Sequence, residues 1–279
     1  MKKYLGIFIA MLMGVSVLAG CSSDEKSSAA PENEATAQER TKLVVGFDAE
    51  YPPYGYRNDA GDYVGFDLDL AAEVCKRRGW ELVKQPIDWD AKDMELNSGS
   101  IDCIWNGFTM TGREDSYTFS DPYVDNSIVF VVRADSDIKT KADLAGKVVM
   151  TQADSSALTA LTNQEDNEAN LALAASFASL EQSKDYNSAF MNLEAGSIDA
   201  IAVDIGVAQY QLTSRGDKFA KLEEPLSTEQ YAIGFKKGNT ELRDQVQETL
   251  YEMVKDGTID TIAANYKDYN LDQMICLGK

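Results

Sequence analysis

The segments LNSGSIDCIWNG (96–107) and LEAGSIDAIAVD (193–204) are nearly the same phrase written twice, 97 positions apart. Each joins the end of a helix-like run to a glycine (Gly99, Gly196), then to Ser-Ile-Asp and a short apolar stretch. Glycine after a helical run favours a left-handed C-terminal cap, so each copy reads as helix, turn, buried strand. Two α/β units in equivalent roles are therefore expected. Ligands of open α/β sheets bind beyond the carboxyl ends of the strands. Polar chemistry is thus to be sought just past each copy, at Asn106-Gly107 and at Asp204.

Strand-like and helix-like segments alternate along the rest of the chain, which places it in the α/β class with largely parallel sheets. Strands are expected at 42–47, 81–86, 101–105, 128–132, 147–150, 174–177, 200–203 and 231–235. Residues 56–64 fold back around Asn58-Asp59-Ala60-Gly61, a turn-rich sequence. A helix is expected over 67–78, where Leu68, Ala71, Ala72 and Cys75 recur at three- and four-residue steps. Further helices are expected over 90–97, from a Ser155 or Ser156 cap to about 161, and over 183–195, 239–256 and 258–266. In the long one Leu242, Val246, Leu250 and Met253 face inward. Residues 163–170 read as a polar loop.

The first 21 residues do not count toward this core. Lys2 and Lys3 precede an apolar run (4–18) that ends in Leu18-Ala19-Gly20-Cys21. A basic start, a short apolar stretch and small residues describe an export signal. The run is shorter than the roughly 20 apolar residues of a spanning helix. Its end resembles the bacterial lipoprotein cleavage box, in which the cysteine is lipidated and becomes the mature N-terminus. An uncleaved N-terminal anchor is the alternative; either way the protein works outside the cytoplasm, held to a membrane. Residues 22–40, SSDEKSSAAPENEATAQER, hold no large apolar residue and read as a flexible tether spanning roughly 25 Å.

The formal charge is −20, and losing Lys2 and Lys3 with the leader takes it to −22. That excess of acid argues against a nucleic-acid partner, whose phosphates need Lys and Arg. The chain has no histidine, which excludes Ser-His-Asp, Cys-His and the usual histidine-ligated zinc sites. No metal and no cofactor is expected. After Cys21 three cysteines remain, Cys75, Cys103 and Cys276, without CxxC spacing. An odd number leaves at least one unpaired, and buried free thiols are expected for most of them.

A family resemblance enters with the longer motifs. VGFDAEYPPYGY (45–56), VGFDLDLAAEV (64–74), IDCIWNGFTMTGRED (101–115) and YTFSDPYV (117–124) resemble the amino-acid-binding solute receptors of ABC importers. VVMTQADSS (148–156), GSIDAIAVD (196–204), YAIGFKKGNTELRDQV (231–246) and DGTIDTIAANY (256–266) continue the likeness to near the end. It implies a two-lobed, type II periplasmic-binding-protein-like fold, each lobe a mostly parallel sheet flanked by helices, joined by two crossing strands. The first lobe would be 41–125 with 231–279, the second 126–230. Its implied partners are a free amino acid and the membrane subunits of an ABC permease; a monomer is expected.

A free amino acid carries a carboxylate and an ammonium on one carbon. Burying both demands a cationic fork, directed donors and an anion. The resemblance gives Arg113 to the α-carboxylate, although the Thr111-Gly112-Arg113 loop is one residue shorter than the usual motif. Thr109 and Ser156, with Ser155 beside it at a helix start, add donors. The resemblance also implies that Asp204 takes the ammonium and the Gly107 carbonyl another of its protons, so the two repeat copies would end on groups that approach one ammonium from opposite lobes. By the same resemblance Tyr51 and Trp89 would sandwich the ligand side chain and Asp48 and Gln152 line its pocket, while Trp105 goes to the core or the cleft.

Ordinary readings stand beside these. Arg113 could pair on the surface with Glu114 or Asp115, Ser156 could be a plain helix cap, Asp204 an N-cap before Ile205, and Asp48 a solvated turn residue. No cleft motif supplies a second cation for an acidic side chain, so a neutral polar or basic amino acid is expected; Arg57 or Arg133 swinging into the cleft would overturn this, since sequence fixes neither position. Dehydratases of aromatic amino-acid precursors share the fold and would use Asp48, Glu50 or Asp204 as acids or bases. A sensor or adhesin lipoprotein is the other alternative.

Overall fold

The computed structural model describes residues 40–163 and 167–279. The leader, Cys21 and the tether up to residue 39 lie outside the described residues. In chain order the strands are β1 (Lys42–Phe47), β2 (Glu50–Tyr51), β3 (Gly55–Arg57), β4 (Tyr63–Val64), β5 (Glu81–Pro86), β6 (Cys103–Ile104) and β7 (Tyr117–Phe119). They continue as β8 (Val124–Arg133), β9 (Val148–Gln152), β10 (Ser179–Ser183), β11 (Ala200–Asp204), β12 (Phe219–Lys221), β13 (Ser227–Tyr231) and β14 (Gly234–Lys236). The helices are α1 (Phe66–Arg78), α2 (Lys92–Ser98), α3 (Ser156–Thr162), α4 (Glu168–Ser176), α5 (Tyr186–Ala195), α6 (Ile205–Arg215), α7 (Thr240–Lys255), α8 (Thr258–Ala264) and α9 (Leu271–Met274).

Two large sheets carry the architecture, one ordered β5-β1-β6-β14-β7 and the other β10-β9-β11-β8-β12, with β13 also paired to β8. Both are built alike. In the first, β1 is flanked by parallel β5 and β6; in the second, β9 is flanked by parallel β10 and β11. Antiparallel strands complete each sheet. The fold is α/β with two sheet-and-helix lobes.

The sequence repeat has a physical reason in this arrangement. Its copies run from α2 into β6 and from α5 into β11, and Gly99 and Gly196 close the helices at φ 82° and 76°. An L side chain at either φ would be strained. The aspartate of each Ser-Ile-Asp then does the same work. The Asp102 amide donates to the Val44 carbonyl at 2.8 Å, and its Oδ2 accepts from the Val44 amide at 2.7 Å. The Asp199 amide donates to the Val148 carbonyl at 2.9 Å, and its Oδ2 accepts from the Val148 amide at 2.9 Å. Each therefore pins the third strand of its lobe to the first.

The chain passes between the sheets twice, from β7 to β8 and from β13 to β14. β8 and β13 lie antiparallel from Val124↔Tyr231 to Ile128↔Ser227, so the two crossings run side by side. α1 is favoured locally by Asp67 and Asp69 in its first turn and by Lys76, Arg77 and Arg78 in its last, which matches the helix dipole. α7 buries Leu242, Val246, Leu250 and Met253 as its periodicity requires, each worth roughly 1.5–3 kcal/mol of burial.

Several expectations need correction. Residues 174–177 belong to α4 apart from Phe177, which follows it, and the strand comes later as β10. The run EANLALAAS is rich in strong helix formers and Asn167 caps it, its Oδ1 accepting from the amides of Ala169 and Asn170. The loop expected over 163–170 is accordingly shorter at its end. The strand expected over 231–235 is broken at Ala232-Ile233, because its halves serve different sheets. Only Cys103–Ile104 of 101–105 pairs as strand, and α9 lies beyond the last helix expected. Cys75, Cys103 and Cys276 are free, the first two buried. Among the described residues no helix is long and apolar enough to cross a membrane.

Candidate functional site

The carboxyl ends of β1, β6, β9 and β11 and the loops that leave them face one another. Nine of the ten proposed contact residues line one small cavity there: Tyr51, Trp89, Gly107, Thr109, Arg113, Gln152, Ser155, Ser156 and Asp204. The tenth, Asp48, lies just behind, in the wall of a wider neighbouring groove. Its Oδ2 accepts from Gln152 Nε2 at 2.6 Å and its amide donates to Asn106 Oδ1 at 3.0 Å. Asp48 is therefore no solvated turn residue, and burial pushes its carboxyl up to about 6.

Arg113 reaches the cavity despite its shortened loop. Its guanidinium lies 5.1 Å from the centre of the Phe108 ring, and Nη1 donates to the Thr109 carbonyl at 3.2 Å. Among the described residues it forms no ion pair, so the pairing with Glu114 or Asp115 is not made. Ser155 is the helix cap: its Oγ accepts from the Leu158 amide at 3.1 Å. That leaves the Ser156 hydroxyl free of capping, and it donates to Glu229 Oε1 at 3.2 Å. Thr109 Oγ1 donates to the same Glu229 oxygen at 2.6 Å.

Across the cavity, Asp204 stands at the head of α6 with no capping bond from its side chain. Its Oδ1 instead accepts from Asn126 Nδ2 at 2.7 Å and from the Tyr231 hydroxyl at 2.6 Å. Only 2 % of Asp204 is exposed, so a carboxylate is kept at the cavity wall with little water to screen it. Gly107 has φ 55°, and a Cβ there would lie 2.9 Å from Tyr51 Cε1 and 3.0 Å from Tyr231 Cε2; only glycine fits. The Gly107 amide donates to buried Asp67 Oδ2 at 2.6 Å. Tyr51 and Trp89 present nearly parallel rings, 5° apart in plane with centroids 6.5 Å apart. Trp105 is fully buried in the core. Arg57 donates to the Gly61 carbonyl, and Arg133 to the carbonyls of Leu193 and Ile198; neither lines the cavity.

A sequence model of the bacterial extracellular solute-binding proteins, family 3, matches residues 43–269. The chain belongs to that family. The family-3 protein is 30% identical over 258 residues to the L-cystine-binding protein TcyJ of Escherichia coli (strain K12), covering 91% of this chain and 92% of the relative. It is 31% identical over 278 residues to the L-cystine-binding protein TcyA of Bacillus subtilis (strain 168), covering 95% and 97%. Among solved structures it resembles an ABC uptake transporter substrate-binding protein from Streptococcus pneumoniae with bound histidine. That match has a TM-score of 0.76 and 34% identity, covering 81% of this chain and 92% of that one. These relatives are substrate-binding proteins.

One residue of the site carries no signal in the sequence. Glu229 lies in the polar stretch STEQY of β13, yet it is 8 % exposed and accepts bonds from two cavity-lining hydroxyls. Asn126, opposite it in register on β8, donates to both Glu229 and Asp204. The pairing of the two crossing strands brings these side chains against the residues that line the cavity.

Proposed function

We propose that this chain is a lipid-anchored extracytoplasmic receptor that binds one free amino acid between two lobes and passes it to the membrane subunits of an ABC permease. One observation carries the reading: a single cavity is lined by Arg113, Thr109 and Ser156 together with Gly107 and Asp204. A cationic fork with hydroxyl donors suits an α-carboxylate, and a buried carboxylate with a peptide carbonyl suits an α-ammonium. Each charge-assisted bond nets about 1.5–3 kcal/mol, and micromolar affinity needs about 8 kcal/mol. A handful of such bonds with one aromatic contact is sufficient.

Residues 41–125 with 231–279 form one lobe and 126–230 the other, closing about the paired crossings. Tyr51 and Trp89 hold the side chain between their faces. Its far end meets Gln152 and, behind it, Asp48, next to a groove lined by Glu50, Asp88 and Asp185 and by Lys184, which pairs with Asp88. That surrounding favours a neutral polar or basic amino acid, and the naming of arginine-, histidine- and glutamine-binding relatives is consistent with it. Cys21 is the lipidated residue, the working unit is a monomer, and no side chain has a catalytic role. Thermal shift of protein refolded free of ligand, against the twenty amino acids and L-cystine, tests this. At least one polar or basic amino acid should raise Tm by several degrees; no response to any of them at millimolar concentration rejects the reading.

A further inference from the structure

Glu229 holds the two hydroxyls assigned above to the carboxylate of an amino acid. Three donors converge on its Oε1: Thr109 Oγ1 at 2.6 Å, Asn126 Nδ2 at 2.8 Å and Ser156 Oγ at 3.2 Å. Thr109 and Ser156 also line the cavity beside Arg113. A carboxylate bound by Arg113 and these hydroxyls would therefore share its donors with a second, internal carboxylate.

The charges around Glu229 make that sharing costly. Asp204 faces it from the end of β11, Arg113 from the loop after β6, and the side chains of Tyr54, Tyr186 and Tyr231 complete the surroundings. A bound zwitterion adds one ammonium and one carboxylate. With Glu229 ionised, three carboxylates then stand against Arg113 and the ammonium in a site almost closed to water. One added proton makes the set neutral. Burial and the Asp204 charge already push the Glu229 carboxyl up to about 7 in the empty site, and a ligand carboxylate acts in the same direction.

We propose that Glu229 couples binding to a proton: amino-acid binding is accompanied by uptake of one proton on its carboxyl. Protonated Glu229 leaves the Thr109 and Ser156 hydroxyls free to turn toward the ligand carboxylate. The proton comes from solvent and returns to it when the ligand leaves, so nothing else is consumed. This rests on the amino-acid reading of the cavity. By linkage, affinity is greatest at or below neutral pH. It weakens by up to tenfold per pH unit above the free-state pKa of Glu229, as ionised Glu229 must be reprotonated on binding.

Calorimetry with L-arginine, L-glutamine and L-cystine as probes tests this, at pH 8 in phosphate and in Tris, whose ionisation enthalpies differ widely. The expected result is a buffer-dependent enthalpy corresponding to uptake of close to one proton, with Kd rising up to tenfold per unit above pH 7. Glu229→Gln keeps the Oε1 acceptor and should bind with a pH-independent Kd and no buffer dependence. Equal wild-type enthalpies in the two buffers would overturn the proposal, and so would proton uptake that persists in Glu229→Gln. The wild-type comparison decides alone if that variant does not fold. Binding without proton uptake overturns only this inference, whereas binding by none of the probes overturns the amino-acid reading as well.

Discussion

Asp204→Asn removes one charge from the cavity and little else. Asparagine keeps an Oδ1 at the same position, so Asn126 and Tyr231, which donate to it at 2.7 and 2.6 Å, retain an acceptor. What is lost is the anion proposed to face the ligand ammonium, at a position only 2 % exposed. Water cannot replace it there, so the ammonium is left buried and unmatched. Truncating one partner of such a buried pair costs about 2–5 kcal/mol, a roughly 30- to 4,000-fold rise in Kd. The free protein should lose no stability, because the charge beside Glu229 disappears with the substitution; Tm should hold or rise. Isothermal titration with the best amino-acid ligand, with circular dichroism as the check on folding, reads both effects. A folded Asp204→Asn protein that binds within fivefold of wild type would refute the role given to Asp204.

Arg113→Ala should weaken binding by at least about 2 kcal/mol, some 30-fold by calorimetry, since only backbone and hydroxyl donors would face the carboxylate; near-native affinity would end the assignment. In competition assays glutamine or arginine should outcompete glutamate and aspartate. Glutamate binding more tightly than glutamine, with arginine not binding at all, would show that an acidic side chain finds a cation after all. Stability of the empty protein should fall as pH rises. Burial raises Asp48 to about 6 and Asp67 and Glu229 to about 7. Between the unfolded carboxylate range, about 4, and these values the native state binds protons that the unfolded chain has released, so stability is lost across that window. Thermal unfolding should give a higher Tm at pH 5.5 than at pH 8, and a flat or opposite trend would contradict it.

The repeat was the most legible part of the chain because its parts are local. A glycine, a Ser-Ile-Asp and an apolar run each act on the nearest strand, as Asp102 and Asp199 do on Val44 and Val148. The cavity residues that follow strand ends could be found the same way, since a strand end in an open sheet is a place defined by sequence. β10 leaves little trace in the sequence because SLEQS is polar and lies at a sheet edge, where burial imposes little pattern. α4 is obscure in the sequence because an alanine-rich run lacks a distinct period, leaving only its propensity and its Asn167 cap as signals. Glu229 is a harder case. Its environment is made by β8, the loop after β6 and the head of α3, none of them close in sequence, and nothing in STEQY distinguishes it from a solvated strand residue.

The central claim is that the cavity recognises both charges on one carbon. Titrating the best amino-acid ligand beside two analogues, the decarboxylated amine and the deaminated acid of the same side chain, tests it most directly. The amine leaves Arg113, Thr109 and Ser156 without their anion, and the acid leaves Asp204 and the Gly107 carbonyl without their cation. Each analogue should bind at least about 30-fold more weakly than the parent, given about 2 kcal/mol or more per lost buried charge partner. Either analogue binding as tightly as the amino acid would contradict the zwitterion site.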